Sequence, residues 1–480
     1  MRVITFLILL LLNIGPALGQ ALGFAPCQVQ KRSVSVDAEC AVLSRPENPA
    51  NPTGPKVDVH VAKFPARTPE PAADAFTIIQ GGPGMSSIDL YLSMQGVFAG
   101  IQAKRDILVI DQRGTGRSNM LTCEFEDESD YTTFDPVRTK LLAEECLAKL
   151  DADPRFYTTS VAVQDLDAVR QAAGYDQLTL YGVSYGTRVA QHYLRTFPAQ
   201  TRAVVLDGVA DVGLNLAGSE IAIRSQQAFD RMVERCRSNS ACQDQFGNLA
   251  EKFSELRERL ANTPQTVKFA HPESGVFIEE TLTDMHLLAM VRLMPYSTES
   301  LALLPLILAE AHAGNYIPMA AHSVLIEQQF TKNYAYAMNN SVVCSEDAPF
   351  LTEADLQGHE STYFGPLMAE SMQAMCSVWP QGPVDQQFRD AFSSDVPALL
   401  LSGETDPITP PANGERAAAM FTQAKHIVVP HHGHGVIGRG CLPQFVSEFV
   451  EAGSVQGLDE SCVERELALP FFISPAGPTP

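Results

Sequence analysis

The hydrophobic residues of this chain form two patterns, and the first is a series of short, continuously apolar segments. Such segments are typical of strands buried on both faces of a parallel sheet. An alternating strand is expected at 56–62, and buried strands are expected at 75–79, 106–110, 177–183, 201–207, 396–403 and 425–429. A helix capped by Ser160 is expected at 160–173, and strands that alternate with helices predict an α/β sheet.

The second pattern, a predominantly helical spacing, occupies 212–395. Ser297 can cap one of its helices, which is expected to stop at Gly314. One apolar helix face is formed by Leu249, Phe253, Leu256 and Leu260. We interpret 212–395 as a helical lid inserted between two parts of one core, 20–211 and 396–480.

The strand at 177–183 leads into a Gly-x-Ser-x-Gly sequence and then into a helical segment. Gly182 and Gly186 flank Ser184 at positions where a strand can fold back onto a helix only if no Cβ intervenes. This context predicts a nucleophile elbow, which holds the Ser184 hydroxyl above the sheet. The amide of Tyr185, at the start of the helix, is then available to stabilise an oxyanion.

A second glycine-rich segment, Gly-Gly-Pro-Gly at 81–84, follows the strand at 75–79. A loop without Cβ atoms lets backbone N–H groups approach a substrate carbonyl closely. Because Pro83 has no N–H, we expect Gly82 to be the second oxyanion donor, with Gly81 as the alternative.

Each of the last two strands is followed by a residue that a serine nucleophile needs. Asp406 follows the strand at 396–403, and His434 follows the strand at 425–429. A histidine can accept the hydroxyl proton and return it to the leaving group, while an acid holds the imidazole in the right tautomer. The order Ser184, Asp406, His434 is that of an α/β-hydrolase triad. We therefore expect an α/β-hydrolase fold, with a mostly parallel sheet flanked by helices and an inserted helical lid.

Other side chains near the same strand ends compete for these roles. The competitors are Glu404 and Asp211 for the acid, and His431 and His432 for the base. Three clustered histidines also raise the alternative of a metal site, but carboxylate and cysteine partners at ligand spacing are missing. We expect no metal and no cofactor.

Charge and the N-terminal segment bear on partners and location. The net charge of −22, from 34 Lys and Arg against 56 Asp and Glu, argues against a nucleic-acid partner because it repels phosphate. Residues 1–19 combine a basic start, a short apolar run and small residues before Gly19, as a cleaved signal peptide does. No later stretch is long enough to span a membrane, so we expect a soluble secreted or periplasmic protein of unspecified oligomeric state.

The ten cysteines are an even number behind a signal peptide, which indicates disulfides formed in an oxidising compartment. We expect successive cysteines to pair, although spacing alone does not fix the connectivity. The expected pairs are Cys27 with Cys40, Cys123 with Cys146, Cys236 with Cys242, Cys344 with Cys376, and Cys441 with Cys462.

Five motifs, in their order along the chain, resemble the proline iminopeptidase and tripeptidyl aminopeptidase family of α/β-hydrolase serine peptidases. They occupy 81–84, 111–118, 182–186, 403–410 and 433–435. The segments at 376–380 and 441–462 are similar to the C-terminal module of tripeptidyl aminopeptidases. Gln80 stands where proline iminopeptidases usually have histidine, which favours the tripeptidyl branch.

The resemblance implies a secreted serine exopeptidase. Its triad would be Ser184, Asp406 and His434, with the amides of Gly82 and Tyr185 as oxyanion donors. The expected reaction is removal of single residues or short peptides from the N-terminus through an acyl-enzyme. The same triad acting on a carboxylic ester is one alternative, and a non-catalytic binding protein with this fold is another.

The same resemblance implies that acidic lid residues hold the free amine of the substrate. Glu346 and Asp347, directly after Cys344, are the residues we expect in this role. A salt-bridged or helix-capping pair is the alternative interpretation.

Overall fold

A computed structural model describes residues 21–125 and 134–478, apart from the side chains of 329–332. The predicted signal peptide at 1–19 lies outside the described residues. Among the helices described, none combines the length and the apolar character that a membrane crossing requires.

The described part of the chain contains one large sheet and one separate hairpin. Its strands are β1 (Ala25–Lys31), β2 (Val34–Pro46), β3 (Lys56–Phe64), β4 (Ala75–Ile79), β5 (Ile107–Ile110), β6 (Leu178–Val183), β7 (Thr201–Asp207), β8 (Gln265–Ala270), β9 (Phe277–Leu282), β10 (Ala398–Gly403) and β11 (Ala424–Val429). The large sheet has the order β1-β2-β3-β5-β4-β6-β7-β10-β11. Pairing is antiparallel from β1 to β5 and parallel from β5 to β11.

The parallel strands are the apolar segments that the sequence pattern singles out. Strands β4, β5 and β10 are buried along their whole length, since helices cover both faces of the sheet. The expectation of a mostly parallel α/β-hydrolase sheet is confirmed. Because parallel strands point the same way, the segments that follow β4, β6, β10 and β11 all lie along one edge of the sheet.

Helices follow or separate the strands. Their bounds are α1 (Ser87–Met94), α2 (Ala99–Gln102), α3 (Pro136–Lys149), α4 (Thr159–Ala172), α5 (Tyr185–Thr196), α6 (Glu220–Ser238), α7 (Ser240–Phe246), α8 (Leu249–Asn262), α9 (Asp284–Leu293), α10 (Thr298–His312), α11 (Ile317–Asn333), α12 (Tyr336–Glu346), α13 (Leu367–Cys376), α14 (Pro411–Ala418) and α15 (Leu442–Ala452). Helix α5 is buried on almost every side because it packs directly against the sheet.

The prediction that Ser160 caps a helix is wrong. Helix α4 begins at Thr159, and Thr158 occupies the N-cap position without a side-chain capping bond. The Ser160 hydroxyl instead accepts a hydrogen bond of 3.0 Å from the backbone N–H of Asp385. A long-range contact thus uses the oxygen that a local rule assigned to capping.

Helices α6 to α13 lie between β7 and β10, as the change of pattern predicts. Their apolar residues form a second core, which includes Phe229, Leu256 and Leu304. The Ser297 hydroxyl caps α10 by accepting the Ser300 N–H at 3.3 Å, as expected. The hairpin of β8 and β9 was not expected, and the bounds 212–395 stay a prediction.

Five disulfides join the cysteines of the described chain in successive pairs. They are Cys27–Cys40, Cys123–Cys146, Cys236–Cys242, Cys344–Cys376 and Cys441–Cys462. Disulfides of this number are typical of proteins from oxidising compartments.

The disulfides close loops of different length, and this predicts unequal contributions to stability. Cys344 and Cys376 are 32 residues apart, whereas Cys236 and Cys242 are 6 apart. Loop-closure entropy makes the longer bridge about 1.5 kcal/mol more stabilising. Replacing both cysteines of each pair by alanine should therefore lower the free energy of unfolding in urea more for the 344–376 pair. An equal or larger loss for the 236–242 pair would contradict this.

Candidate active site

Ser184 lies in a tight turn between β6 and α5. Its backbone has φ 57° and ψ −127°, an unusual conformation for a residue other than glycine. The Ser184 N–H donates to the carbonyl of Asp207 at 2.9 Å, which fixes the turn to the end of β7. The backbone at this position is therefore held in a strained form by its neighbours.

The two glycines that flank Ser184 are required by close approach between backbones. A Cβ on Gly186 would overlap the carbonyl oxygen of Ile79, and a Cβ on Gly182 would overlap the carbonyl of Gly186. Neither glycine has a positive φ. The absence of a side chain, and not conformational freedom, is what these two positions need.

The glycine-rich loop after β4 lies directly against Ser184. A Cβ on Gly81 would be 2.7 Å from the Cβ of Ser184. The Gly81 N–H donates to the side-chain oxygen of Gln80 at 2.8 Å, so this amide is already engaged. That bond favours Gly82, with φ 112°, over Gly81 as the loop's oxyanion donor. Tyr185 is the first residue of α5, where an amide has no partner within its helix.

Asp406 and His434 form a hydrogen-bonded pair at the same edge of the sheet. The Nδ1 atom of His434 lies 2.8 Å from the Oδ2 atom of Asp406, which is buried. The other carboxylate oxygen of Asp406 accepts the N–H groups of Ile408 and Thr409 at 2.9 and 2.8 Å. The hydroxyl of Thr409 donates to Oδ2 at 2.8 Å. The carboxylate is thus fixed, and Nδ1 of His434 is oriented towards it.

The competing acids and histidines have other partners. Glu404 is exposed and accepts the N–H of His431 at 2.7 Å. Asp211 pairs with Arg416 at 2.6 Å. His432 lies 3.1 Å from the Thr298 hydroxyl and 3.2 Å from Glu466. The three histidines therefore point to three different partners, and no group of ligands suited to a metal occurs within the described residues.

The backbone segment Asp207–Gly208 contacts both Ser184 and His434. Asp207 accepts the Ser184 N–H, and a Cβ on Gly208 would lie 3.0 Å from the His434 ring. The described residues include no direct hydrogen bond between the Ser184 hydroxyl and His434. Such bonds are often long without substrate and tighten when it binds.

Two residues that sequence reasoning missed hold His434 in place. The carboxylate of Asp207 is buried and accepts the N–H groups of Val436 and Ile437, which fixes the loop beyond the histidine. The carbonyl of Tyr296 accepts a hydrogen bond of 2.9 Å from the backbone N–H of His434. The Tyr296 ring packs edge-on against the imidazole of His434, with 5.0 Å between the ring centroids. A charged residue at the end of a buried strand is a signal that could have revealed Asp207.

The electrostatics of the pair favour a charged imidazolium. Burial alone lowers the pKa of His434, but the charge and hydrogen bond of Asp406, with the charge of Asp207, raise it above its ordinary value. Burial raises the pKa of Asp406, but the charge and hydrogen bond of His434 and two backbone N–H groups bring it below the ordinary value. A proton accepted at this imidazole is therefore stabilised.

The structure places Glu346 and Asp347 in a buried ion-pair network. The guanidinium of Arg188, on α5, donates to both carboxylate oxygens of Asp347 at 3.0 Å, and Arg389 donates to Asp347 as well. Glu346 accepts the N–H and the hydroxyl of Thr159 at 2.6 and 2.9 Å. Neither side chain is exposed. This arrangement corresponds to the ion-paired alternative and leaves no free carboxylate for a substrate amine.

Glu346 is linked through Thr159 to the residue after the elbow. The Thr159 hydroxyl is 2.6 Å from the hydroxyl of Tyr185, which also accepts from Gln112 at 3.2 Å. Burial raises the pKa of Glu346 to about 7, although the charge of Arg188 opposes the rise. The network thus connects α12 to the start of α5.

Comparison with known families agrees with this geometry. A family model of the alpha/beta hydrolase fold matches residues 74–273, which include Ser184. A second model, described as TAP-like protein, matches residues 361–462, which include Asp406 and His434. The chain has the α/β-hydrolase fold.

Curated relatives of the hydrolase cover most of its length. Serine protease Hip1 of Mycobacterium tuberculosis is 23% identical over 93% of this chain and 92% of its own. Tripeptidyl aminopeptidase of Streptomyces coelicolor is 22% identical over 90% of this chain and 84% of its own length. Carboxylesterase B of Mycobacterium tuberculosis is 26% identical over 78% of this chain and 77% of its own length. Because the relatives that align with most of the chain are named as a serine protease and an aminopeptidase, and the fold is that of α/β hydrolases, the protein is a serine hydrolase.

The Asp406–His434 pair predicts a pKa change in the hydrolase that distinguishes Asp406 from Glu404. Asp406→Asn should lower the pKa of His434. The substitution removes the negative charge that stabilises the protonated ring, while the burial that disfavours protonation remains. Glu404→Gln should leave that pKa unchanged, since Glu404 contacts His431. Proton NMR titration of the ring C–H signals, with His434→Gln for assignment, measures both. A larger shift in Glu404→Gln would reverse the choice of acid.

Proposed function

We propose that this hydrolase is a secreted or periplasmic exopeptidase, which releases single residues or short peptides from the N-terminus of its substrates through an acyl-enzyme on Ser184. The observation that carries the proposal is the buried Asp406–His434 pair beside a strained nucleophile elbow. The five disulfides and the predicted signal peptide support the location.

In the proposed first half-reaction, the Ser184 hydroxyl attacks the scissile carbonyl. Because Nδ1 of His434 is engaged by Asp406, Nε2 is the atom that accepts the hydroxyl proton. The raised pKa of His434 favours this transfer, and the fixed Asp406 carboxylate stabilises the resulting imidazolium.

The negative charge that develops on the carbonyl oxygen needs donors that are already in position. The amides of Gly82 and Tyr185 fill this role in the proposal, since they lie on the two loops that meet at Ser184. Collapse of the tetrahedral intermediate transfers the Nε2 proton of His434 to the departing amine. Water, activated by the same histidine, then hydrolyses the acyl-enzyme and regenerates Ser184.

The relatives favour peptide over ester substrates. Proteins named as a serine protease and as an aminopeptidase align with at least 90% of the chain, whereas the one named as a carboxylesterase aligns with 78%. Hydrolysis of a carboxylic ester by the same triad is the second candidate. Glu346 and Asp347 have no part in binding the substrate amine here, because both are buried and hydrogen-bonded.

The first expected outcome concerns the nucleophile. Ser184→Ala should reduce kcat by several orders of magnitude, on the order of 10⁶ for a comparable triad, because the attacking oxygen is removed. Ser238→Ala, at an exposed position of α6, is the matched control and should retain wild-type activity. Thermal unfolding of both variants checks that the fold persists. Wild-type turnover in folded Ser184→Ala would show that the elbow is assigned wrongly.

The second expected outcome separates exopeptidase from esterase. Fluorogenic amides of one, two and three residues should be hydrolysed when their N-terminus is free, and much more slowly when it is acetylated. An ester of the same acyl group serves as the comparison. Equal rates on free and acetylated amides would remove the N-terminal preference, and hydrolysis of the ester alone would establish the second candidate.

A further inference from the structure

Arg292 lies in the last turn of α9, near the side of the active site that holds His434. Helix α9 continues into a 3₁₀ turn, Met294–Tyr296, so Arg292 and Tyr296 are four residues apart and share one helical face. Tyr296 is the residue whose ring and carbonyl both contact His434. The face that carries Arg292 is therefore directed towards the proposed base.

Tyr334 borders the opposite side of the same region. Its backbone pairs with Met85, and its ring carbon Cε2 lies 3.4 Å from the position that a Cβ on Gly82 would take. Burial raises the pKa of the Tyr296, Tyr334 and Tyr363 hydroxyls, and in each case the positive charge of Arg292 opposes the rise. The guanidinium thus lies within electrostatic reach of phenols that border both His434 and the oxyanion loop.

Within the described residues Arg292 lacks a counter-charge, unlike the buried arginines of the core. Arg105, Arg113 and Arg188 each form an ion pair with an aspartate at 3.0 Å or less. Among the described residues, no carboxylate lies within ion-pair distance of Arg292. The guanidinium forms a side-chain hydrogen bond with Tyr296, but its Nε atom is shielded from solvent and has no hydrogen-bond partner among the described residues. The buried side of the guanidinium is therefore met by one phenol and by no carboxylate, so a ligand that supplies an anionic oxygen to its remaining N–H groups is favoured.

We propose that Arg292 binds the C-terminal carboxylate of short peptide substrates, on the leaving-group side of the scissile bond. The inference rests on the proposed exopeptidase function. His434 must reach the departing amine to protonate it, so the residues that depart lie towards Tyr296 and Arg292. A terminal carboxylate is the anion that every short peptide carries, and a guanidinium matches its two oxygens.

The test compares tri-, tetra- and pentapeptides that differ only at the C-terminus, as free acid or carboxamide, with products separated by chromatography. The wild-type enzyme should cleave the free acid of its preferred length with a kcat/KM about 10-fold or more higher than the amide. Arg292→Gln should bring the ratio close to one, and Arg292→Lys should retain part of it. Arg237→Gln removes an exposed charge of α6 and is the control, which should keep the wild-type ratio.

The outcomes distinguish the two proposals. Equal wild-type rates on acid and amide, with both cleaved, would overturn the role of Arg292 and leave the exopeptidase function standing. A preference for the acid that persists in Arg292→Gln would also overturn it. Cleavage of neither peptide series, by an enzyme that hydrolyses the matching ester, would contradict the exopeptidase function itself.

Discussion

The site depends on close contact between backbones at the end of the parallel strands. Gly186 leaves room for the carbonyl of Ile79 only because it has no Cβ, and this lets α5 start directly above β4 and β6. The strained backbone of Ser184 is maintained by that packing and by the hydrogen bond from its N–H to Asp207. Strain of this kind persists only where the surroundings over-determine it, and the buried sheet supplies such surroundings.

Asp207 links the parts of the site that are far apart in sequence. Its carbonyl holds the turn at Ser184, and its carboxylate holds the loop beyond His434 through Val436 and Ile437. A single residue at the end of β7 thus sets the relative position of the proposed nucleophile and base. It also contributes negative charge near the imidazole, which acts in the same direction as the charge of Asp406.

The segment between β7 and β10 contributes residues to the site. Tyr296 contacts His434, Tyr334 borders the loop of Gly82, and Arg292 carries a charge that no carboxylate of the described residues pairs with. On the other side, the buried network of Glu346 and Asp347 attaches the end of α12 to α5. The elements that would select the substrate are therefore joined to those that would perform the chemistry.

The sequence by itself determined the parallel strands, the elbow and the chain order of serine, acid and histidine. Continuous apolar runs and glycines flanking a serine are local signals, and the direction of parallel strands places their ends at one edge. The sequence also placed Asp406 ahead of Glu404 as the expected acid, but only the tertiary structure shows that Asp406 is buried against His434 while Glu404 is exposed. The tertiary structure also revealed Asp207 and Tyr296 and paired Glu346 and Asp347 with core residues. Contacts between residues more than a hundred positions apart leave no periodic trace in a sequence, so such roles emerge only when the chain is folded.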